Sequence, residues 1–496
     1  MARRGRLKGF LTFGALVGAF FLQTWFAGVN RADEVWFFVL AKKTAEGAVP
    51  YRDFSFNVLP GSLYLAAGFL RVFGAELVVL KGLMALVAAA TALLAWGAFR
   101  QLGGPEEWKG PFLLLCLLLA PALPGSAYGP LAYLALLAAL VVTLNALPQS
   151  SWIPWLGAGF FAGLGFVAKY NLGMLVLGAV GLARLLGPRK RRFAQLFGIA
   201  AIFAATVLAS LWPVAVTRTW GAFYLSVLGT KPTYVRTALT LPLAGQIAGI
   251  PPAVVVTPTE RLARLACRGA SFLTVALGAI FWLQRWRGNR DERRKWAVLG
   301  LFLLAAVVAA FPRFDSEHVL PAVPVALVSA LGHCPERRSP MALAITRCTA
   351  TAFLVLTLCL PLLAWARGAW HLSDWPHLRA VRISPEESTA VEATRLFART
   401  LPPNDNLLFL GPYAAFYYLV TERRPPTRYL FPLASQLGPG GEDELISKVK
   451  AGHIPWVCLQ PWPWALRPQR VEECIQKHLL PIAQTGECFW YAVRHH

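Results

Sequence analysis

The sequence predicts a polytopic α-helical membrane protein of about eleven spans, followed by a small extracytoplasmic α/β domain. Three observations predict this. Apolar residues fill 56% of the 496 positions and charged residues only 15%, whereas a soluble domain carries about a quarter charged residues. Apolar runs of near-spanning length recur at Phe10–Val29, Leu77–Phe99, Gly129–Leu147, Phe193–Val216, Trp296–Phe311 and Thr349–Ala366. In lipid such runs are helical, because the backbone finds hydrogen-bond partners only within itself. The third observation is a change of pattern: from about His371 the spanning runs stop and short helical and strand periodicities alternate.

The first run follows Arg3, Arg4, Arg6 and Lys8. It is too long for the apolar segment of a secretory signal and lacks a clear small-x-small cleavage site before Asn30, so it reads as a retained first helix. Spans are then expected near 10–29, 77–99, 111–123, 129–147, 153–171, 173–187, 193–216, 265–284, 296–312, 319–333 and 349–367. The net charge of +23 raises the question of nucleic acid. Its placement answers it. With the N-terminus inside, the clusters Arg189–Arg192, Arg285 to Lys295, and Arg337, Arg338 and Arg347 all fall on the cytoplasmic side, the positive-inside pattern. The basicity therefore reports topology and contact with anionic lipid headgroups, and no nucleic-acid partner is expected.

Two long external loops stand out, 30–76 and 217–260. Ala32–Glu46 and Ser62–Phe73 carry helical apolar spacing inside the first loop, and both are expected to lie along the outer membrane surface. The tail, 369–496, holds the α/β pattern. Ser384-Pro385-Glu386-Glu387 is a helix start, with Ser at the cap, Pro at the first helical position and Glu at the third. That helix runs to about Thr400. Strands are expected at Asn406–Leu410, Pro455–Leu459 and Cys488–Val493, and helices at Glu442–Ala451 and Val471–Leu480. An odd span count places this domain outside. Among its three cysteines, Cys458, Cys474 and Cys488, at most one disulfide can form. No GxGxxG or P-loop pattern supports nucleotide binding.

The chemistry-bearing candidates sit in the external loops. Asp33-Glu34 follows the first span by three residues, as either a solvated helix-capping pair or a focused functional pair. The stretch then reads Ala32-Asp33-Glu34-Val35-Trp36-Phe37-Phe38, Gly47-Ala48-Val49-Pro50-Tyr51-Arg52-Asp53-Phe54, Pro60-Gly61-Ser62-Leu63-Tyr64 and Val72-Phe73-Gly74. This resembles the first loop of the GT-C superfamily, membrane glycosyltransferases that take a sugar from a polyprenyl-phosphate carrier. The nearest branch resembled is the protein mannosyltransferase and aminoarabinose transferase (ArnT-like) group. Lys169-Tyr170-Asn171-Leu172-Gly173 resembles a "K-x-N-x-G" turn of the same group, and Arg313-Phe314-Asp315-Ser316-Glu317-His318 one of its late external loops. Trp36 and Phe37 stand where that group usually has a Tyr, which bears on the identity of the sugar.

The resemblance implies a GT-C-like membrane domain over 1–368 and an inverting sugar transfer on the extracytoplasmic face. The donor would be a polyprenyl-phosphate sugar and the acceptor an envelope lipid, glycan or protein, in the cytoplasmic membrane of a bacterium. Transfer needs a base for the acceptor's proton and positive charge where the phosphate departs. Asp33 is the candidate base, with Glu34 its support. The pair is also the candidate oxygen ligand set for a divalent cation such as Mg, Mn or Zn. Lys169, Arg52, Arg313 and His318 are candidates for the carrier phosphate, and Tyr51, Trp36 and Tyr64 for sugar contact. Headgroup snorkelling is the plainer role for the cations, and Arg52 has Asp53 beside it as a partner. A transporter or lipid flippase would place ionisable residues at mid-membrane and show repeat symmetry. A non-catalytic assembly subunit would leave the acidic loop without a purpose.

Overall fold

A computed structural model describes the chain except for residues 1, 120–127, 240–257, 286–289, 313–315, most of 333–369, 439, 462–466 and 494–496. Helix α1 (Ala2–Phe26) leads into the first loop, which folds as α2 (Asp33–Ala45) and α3 (Gly61–Phe73). Then come α4 (Leu77–Gln101), α5 (Lys109–Leu119), α6 (Tyr128–Ala146), α7 (Ile153–Ala168), α8 (Tyr170–Leu186) and α9 (Arg192–Val216). The second loop contributes α10 (Trp220–Tyr224) and α11 (Lys231–Leu239). Helices α12 (Pro258–Arg285), α13 (Arg290–Val308), α14 (Ser316–Val319) and α15 (Ala322–Gly332) complete the described bundle.

The protein is an integral membrane protein. Among the described residues four helices are long and apolar enough to cross a bilayer: Gly9–Phe26, Leu77–Gln101, Gly129–Ala146 and Arg192–Val216. Shorter apolar helices include Ile153–Ala168, Tyr170–Leu186, Gly269–Gln284 and Ala322–Gly332. The span expected at 349–367 lies largely outside the described residues. Helix α9 presents Phe193, Phe197, Leu208 and Trp212 outward, as a lipid-facing helix does.

α7 and α8 form a tight hairpin whose turn is the single extended residue Lys169. Close approach is possible because Gly173 faces Phe166: a Cβ there would lie 2.0 Å from the Phe166 amide nitrogen. The Lys169 amide donates to the Gly165 carbonyl and the Gly173 amide to that of Lys169, at 2.7 and 3.0 Å.

After residue 370 the chain forms a four-stranded sheet with helices packed on it. Strands β3 (Leu407–Leu410), β4 (Trp456–Leu459), β5 (Leu479–Thr485) and β6 (Cys488–Val493) lie in the order β3-β4-β6-β5. β3 and β4 are parallel and the other pairs antiparallel; a short ladder, β1 (His371–Leu372) with β2 (Arg382–Ile383), precedes them. Helix α16 (Pro385–Thr400) starts where the Ser384 hydroxyl accepts from the Glu387 amide at 3.1 Å. Residues Leu479 and Leu480, expected at the end of a helix, instead begin β5. The cross-strand pairing with β6 outweighs the helical spacing there. Helix α17 (Ala414–Thr421) has no counterpart in the sequence reading, since its run is apolar all round and carries no single-face period.

Helix α2 also departs from expectation. It does not lie on an open membrane surface. Glu34 through Ala41 are all buried, and Trp36 packs between Phe56 and Phe431 at centroid distances of 5.7 and 5.6 Å. Seven consecutive apolar side chains, Val35 to Ala41, leave no polar face for water or headgroups, and such a helix is stable only when covered. The C-terminal unit covers it.

Candidate active site

The start of α2 is built by local hydrogen bonding. The Asn30 side-chain oxygen accepts from the amides of Ala32 and Asp33 at 3.0 and 3.2 Å. In return the Asn30 amide donates to Glu34 Oε2 at 3.0 Å. This reciprocal closure resembles a capping box and sets both carboxylates in the first turn, where the helix dipole favours negative charge. The two then diverge. Asp33 stays partly exposed, whereas Glu34 is buried.

Glu34 Oε1 meets Lys81 Nζ at 2.7 Å. Lys81, itself buried in α4, also donates to the carbonyls of Thr24 and Gly28. One ammonium thus ties the end of α1, the start of α2 and α4 together. Both Glu34 oxygens are engaged, so Glu34 is a positioning group for the helix start. Among the described residues no group of three or more His, Cys, Asp or Glu side chains is arranged for a metal.

The Gly47–Phe54 motif is a self-contained turn. Gly47 and Tyr51 both adopt positive φ, 100° and 70°; the Tyr51 amide donates to the Phe54 carbonyl and the Val49 amide to Asp53 Oδ2. Tyr51 is expected to contact sugar, but the structure gives it to the core. Its ring is fully buried against Phe223, and its hydroxyl donates to the Val58 carbonyl at 2.6 Å. Trp36 is likewise core. Tyr64 is half-buried and lines a cavity of about 280 Å³ with Thr44, Arg71 and Thr217. Arg52 is exposed and forked onto Asp53 at 2.8 and 2.9 Å, and that hydrogen bonding holds the Asp53 carboxyl below its ordinary range.

The cationic half of the site gathers at the α7–α8 tip. Lys169 is half-buried there. Beside it, Lys231 Nζ sits 5.1 Å from the centroid of the Tyr170 ring and donates to the Asn57 carbonyl at 2.8 Å. Part of Lys231 stays open to solvent, yet packing around its ammonium pushes its pKa down to about 8. Both of these partners, the Tyr170 ring and the Asn57 carbonyl, are neutral. An anion placed against an ammonium held this way would favour its charged form. The same corner receives Asn171, whose side chain donates to the Ala309 carbonyl at the end of α13, and Gly61 of α3, whose Cα faces Val167. His318 lies in the one-turn helix α14, half-buried; Arg313 lies outside the described residues. Lys231 and Lys81 were missed from sequence. Lys81 is a lone lysine in an apolar span, which was the one available signal, since a cation there is costly without a partner; Lys231 stands among Thr230, Pro232 and Thr233 and carries no such signal.

Residues 57–216 match a family model described as dolichyl-phosphate-mannose-protein mannosyltransferase. The matched region is under half of the chain and includes Tyr64 and Lys169 but not Asp33. No curated protein sequence matches significantly. Among solved structures, ArnT from Cupriavidus metallidurans bound to undecaprenyl phosphate superposes with a TM-score of 0.60 at 12% identity, over 97% of each chain. The same protein in the apo state gives 0.57, also at 12% identity, over 99% of this chain and 98% of that one. The Archaeoglobus fulgidus oligosaccharyltransferase, in complex with Zn and sulfate, gives 0.52 at 12% identity over 96% of this chain and 73% of its own. At such identities the likeness is one of fold.

Proposed function

We propose that this chain, which has the fold of the GT-C membrane glycosyltransferases, transfers a sugar from a polyprenyl-phosphate carrier to an acceptor in the cell envelope, with inversion. The observation that carries this reading is the corner where the first external loop meets the two lysines, Lys231 through the Asn57 carbonyl and Lys169 through the packing of Gly61 on Val167. The loop that bears the Asp33 carboxylate runs on through Asn57 and Gly61 to touch Lys231 and the Lys169 tip. The ArnT structure of the same fold was solved with undecaprenyl phosphate, a ligand whose headgroup is the anion such a corner would hold.

The step divides between the two halves. An acceptor oxygen attacks the anomeric carbon while Asp33 takes its proton. The bond from that carbon to the carrier phosphate breaks, and the phosphate leaves with the electron pair. Lys231 and Lys169 stabilise the charge that develops on it. The C-terminal unit lies on the extracytoplasmic side in this reading, supported by the Cys458–Cys488 disulfide, since disulfides persist in oxidising compartments.

Purified full-length protein in vesicles, supplied with a panel of radiolabelled polyprenyl-phosphate sugars and an envelope extract as acceptor, tests this. Label should move from the carrier to a carrier-free product for at least one sugar. Label that stays on the carrier across the panel, while the protein remains folded, contradicts the proposal.

A further inference from the structure

Arg31 lies in the linker between α1 and α2, two residues before Asp33, and is buried. Its guanidinium forks onto Glu487, NH1 to Oε1 at 2.8 Å and NH2 to Oε2 at 3.3 Å. Its Nε lies 2.9 Å from Glu387 Oε1, and the ring of Tyr413 stacks beneath it with a centroid distance of 4.2 Å. Tyr417 donates to the same Glu487 oxygen at 2.8 Å. All of these partners belong to the C-terminal unit. Glu387 is in the first turn of α16, and Glu487 occupies the β5–β6 turn, beside the disulfide-bonded Cys488.

A buried cation between two carboxylates is a poor way to add stability, because desolvation offsets most of the attraction and an apolar cluster of the same volume would serve as well. What the arrangement does supply is location. The forked contact fixes the guanidinium in plane and direction, and Arg31 is joined to the α2 start through Asn30 and Ala32. Lys81 holds that start from the membrane side. Arg31 holds it from the other.

We infer that Arg31 is a positioning residue for sugar transfer: the C-terminal unit sets the placement of Asp33 through the Arg31–Glu487–Glu387 clamp. This rests on the reading of Asp33 as the base. It gives the C-terminal unit a part in catalysis that does not require it to touch substrate.

The clamp also carries a charge imbalance. Burial pushes the Glu387 carboxyl up to about 7, Arg31 opposing and Glu487 adding to the rise. Neither Glu387 oxygen makes a well-aligned hydrogen bond. The charged and titratable groups facing it are Arg31, Glu487, Tyr413 and Tyr417. Below pH 7 one proton rests on Glu387 and the clamp is near neutral. Above it the clamp holds a net negative charge, with Glu387 set against Glu487.

The test uses full-length Glu487→Gln, Arg31→Lys, Arg31→Ala and Glu387→Gln in vesicles, with the polyprenyl-phosphate sugar that the wild type transfers best. Glu487→Gln should lower kcat on the order of tenfold to a hundredfold, the scale of a small misplacement of a reacting group, with donor KM little changed. Arg31→Lys should recover part of the kcat lost in Arg31→Ala, and Glu387→Gln should flatten the change in kcat near pH 7. Independently of activity, hydrogen exchange of the first-turn amides of α2 should quicken in Glu487→Gln while α4 stays protected. Unchanged kcat or unchanged α2 exchange in a folded Glu487→Gln protein, or an unchanged pH profile in a folded Glu387→Gln protein, overturns the inference. Should that variant fail to accumulate, equal kcat in Arg31→Lys and Arg31→Ala overturns it. A fully active Asp33→Asn protein would instead remove the base itself, a separate failure.

Discussion

At the scale of single residues, the apolar loops are organised around a few polar side chains whose removal has distinct signatures. Tyr51→Phe deletes one hydroxyl and strands the buried Val58 carbonyl. It should cost about 1 to 3 kcal/mol of stability without changing donor KM, which thermal unfolding and kinetics together would show. Lys81→Met leaves Glu34 charged and unpaired inside the protein, so a loss of about 3 to 5 kcal/mol is expected; the double variant Lys81→Met, Glu34→Leu should recover most of it. Lys231 makes a different prediction. Its pKa is lowered to about 8 by burial, so the charged form that binds an anion is present below pH 8 and is lost above it. Donor affinity should fall as pH rises through 8. Lys231→Met should weaken it about tenfold to a hundredfold at pH 7, and Lys231→Arg should hold it at pH 9. A wild-type affinity flat from pH 6 to 9 would exclude Lys231 from the phosphate site.

At the scale of elements, the α7–α8 hairpin and the α2 start decide where those residues point. Gly173→Ala would place a methyl group 2.0 Å from the Phe166 amide nitrogen. Backbone cannot yield as a flexible side chain does, so the hairpin must open and Lys169 and Tyr170 must move. Weakened donor binding is expected with Lys169 itself intact, whereas Gly178→Ala in the same helix, with no atom within 4 Å of the added carbon, should be silent. Much of this level was legible in sequence. Ser384-Pro385-Glu386-Glu387 announced α16 through cap chemistry, which is local and needs no tertiary information. The sequence could not show that Tyr51 and Trp36 face inward, because the rings that cover them lie far along the chain, Phe223 of the second external loop for Tyr51 and Phe431 of the C-terminal unit for Trp36.

At the scale of the whole molecule, the bundle and the C-terminal unit are joined at many points. Ser55 donates to the Arg428 carbonyl, Leu77 to that of His377, and Arg382 to that of Phe26. Pairings this distant in sequence leave no local trace, which is why Arg31, Lys81 and Lys231 were not singled out while the apolar runs that define the membrane class were. The proposed topology is testable at this scale. A reporter active only in the cytoplasm, fused to the C-terminus, should be silent, and Cys458 and Cys488 should resist thiol labelling until reduced, with Cys474 left as a thiol. Closing that loop should stabilise the unit by about 3 to 4 kcal/mol. The central claim is that the carboxylate of Asp33, fixed at the start of α2, deprotonates the acceptor of a carrier-borne sugar. The most direct measurement is the single-turnover transfer rate of Asp33→Asn in vesicles, beside Asp53→Asn, whose partner Arg52 lies on the exposed face of the turn. Asp33→Asn should insert and bind donor normally yet transfer sugar at least about a hundredfold more slowly, with Asp53→Asn close to wild type; transfer by Asp33→Asn at near the wild-type rate would contradict the account.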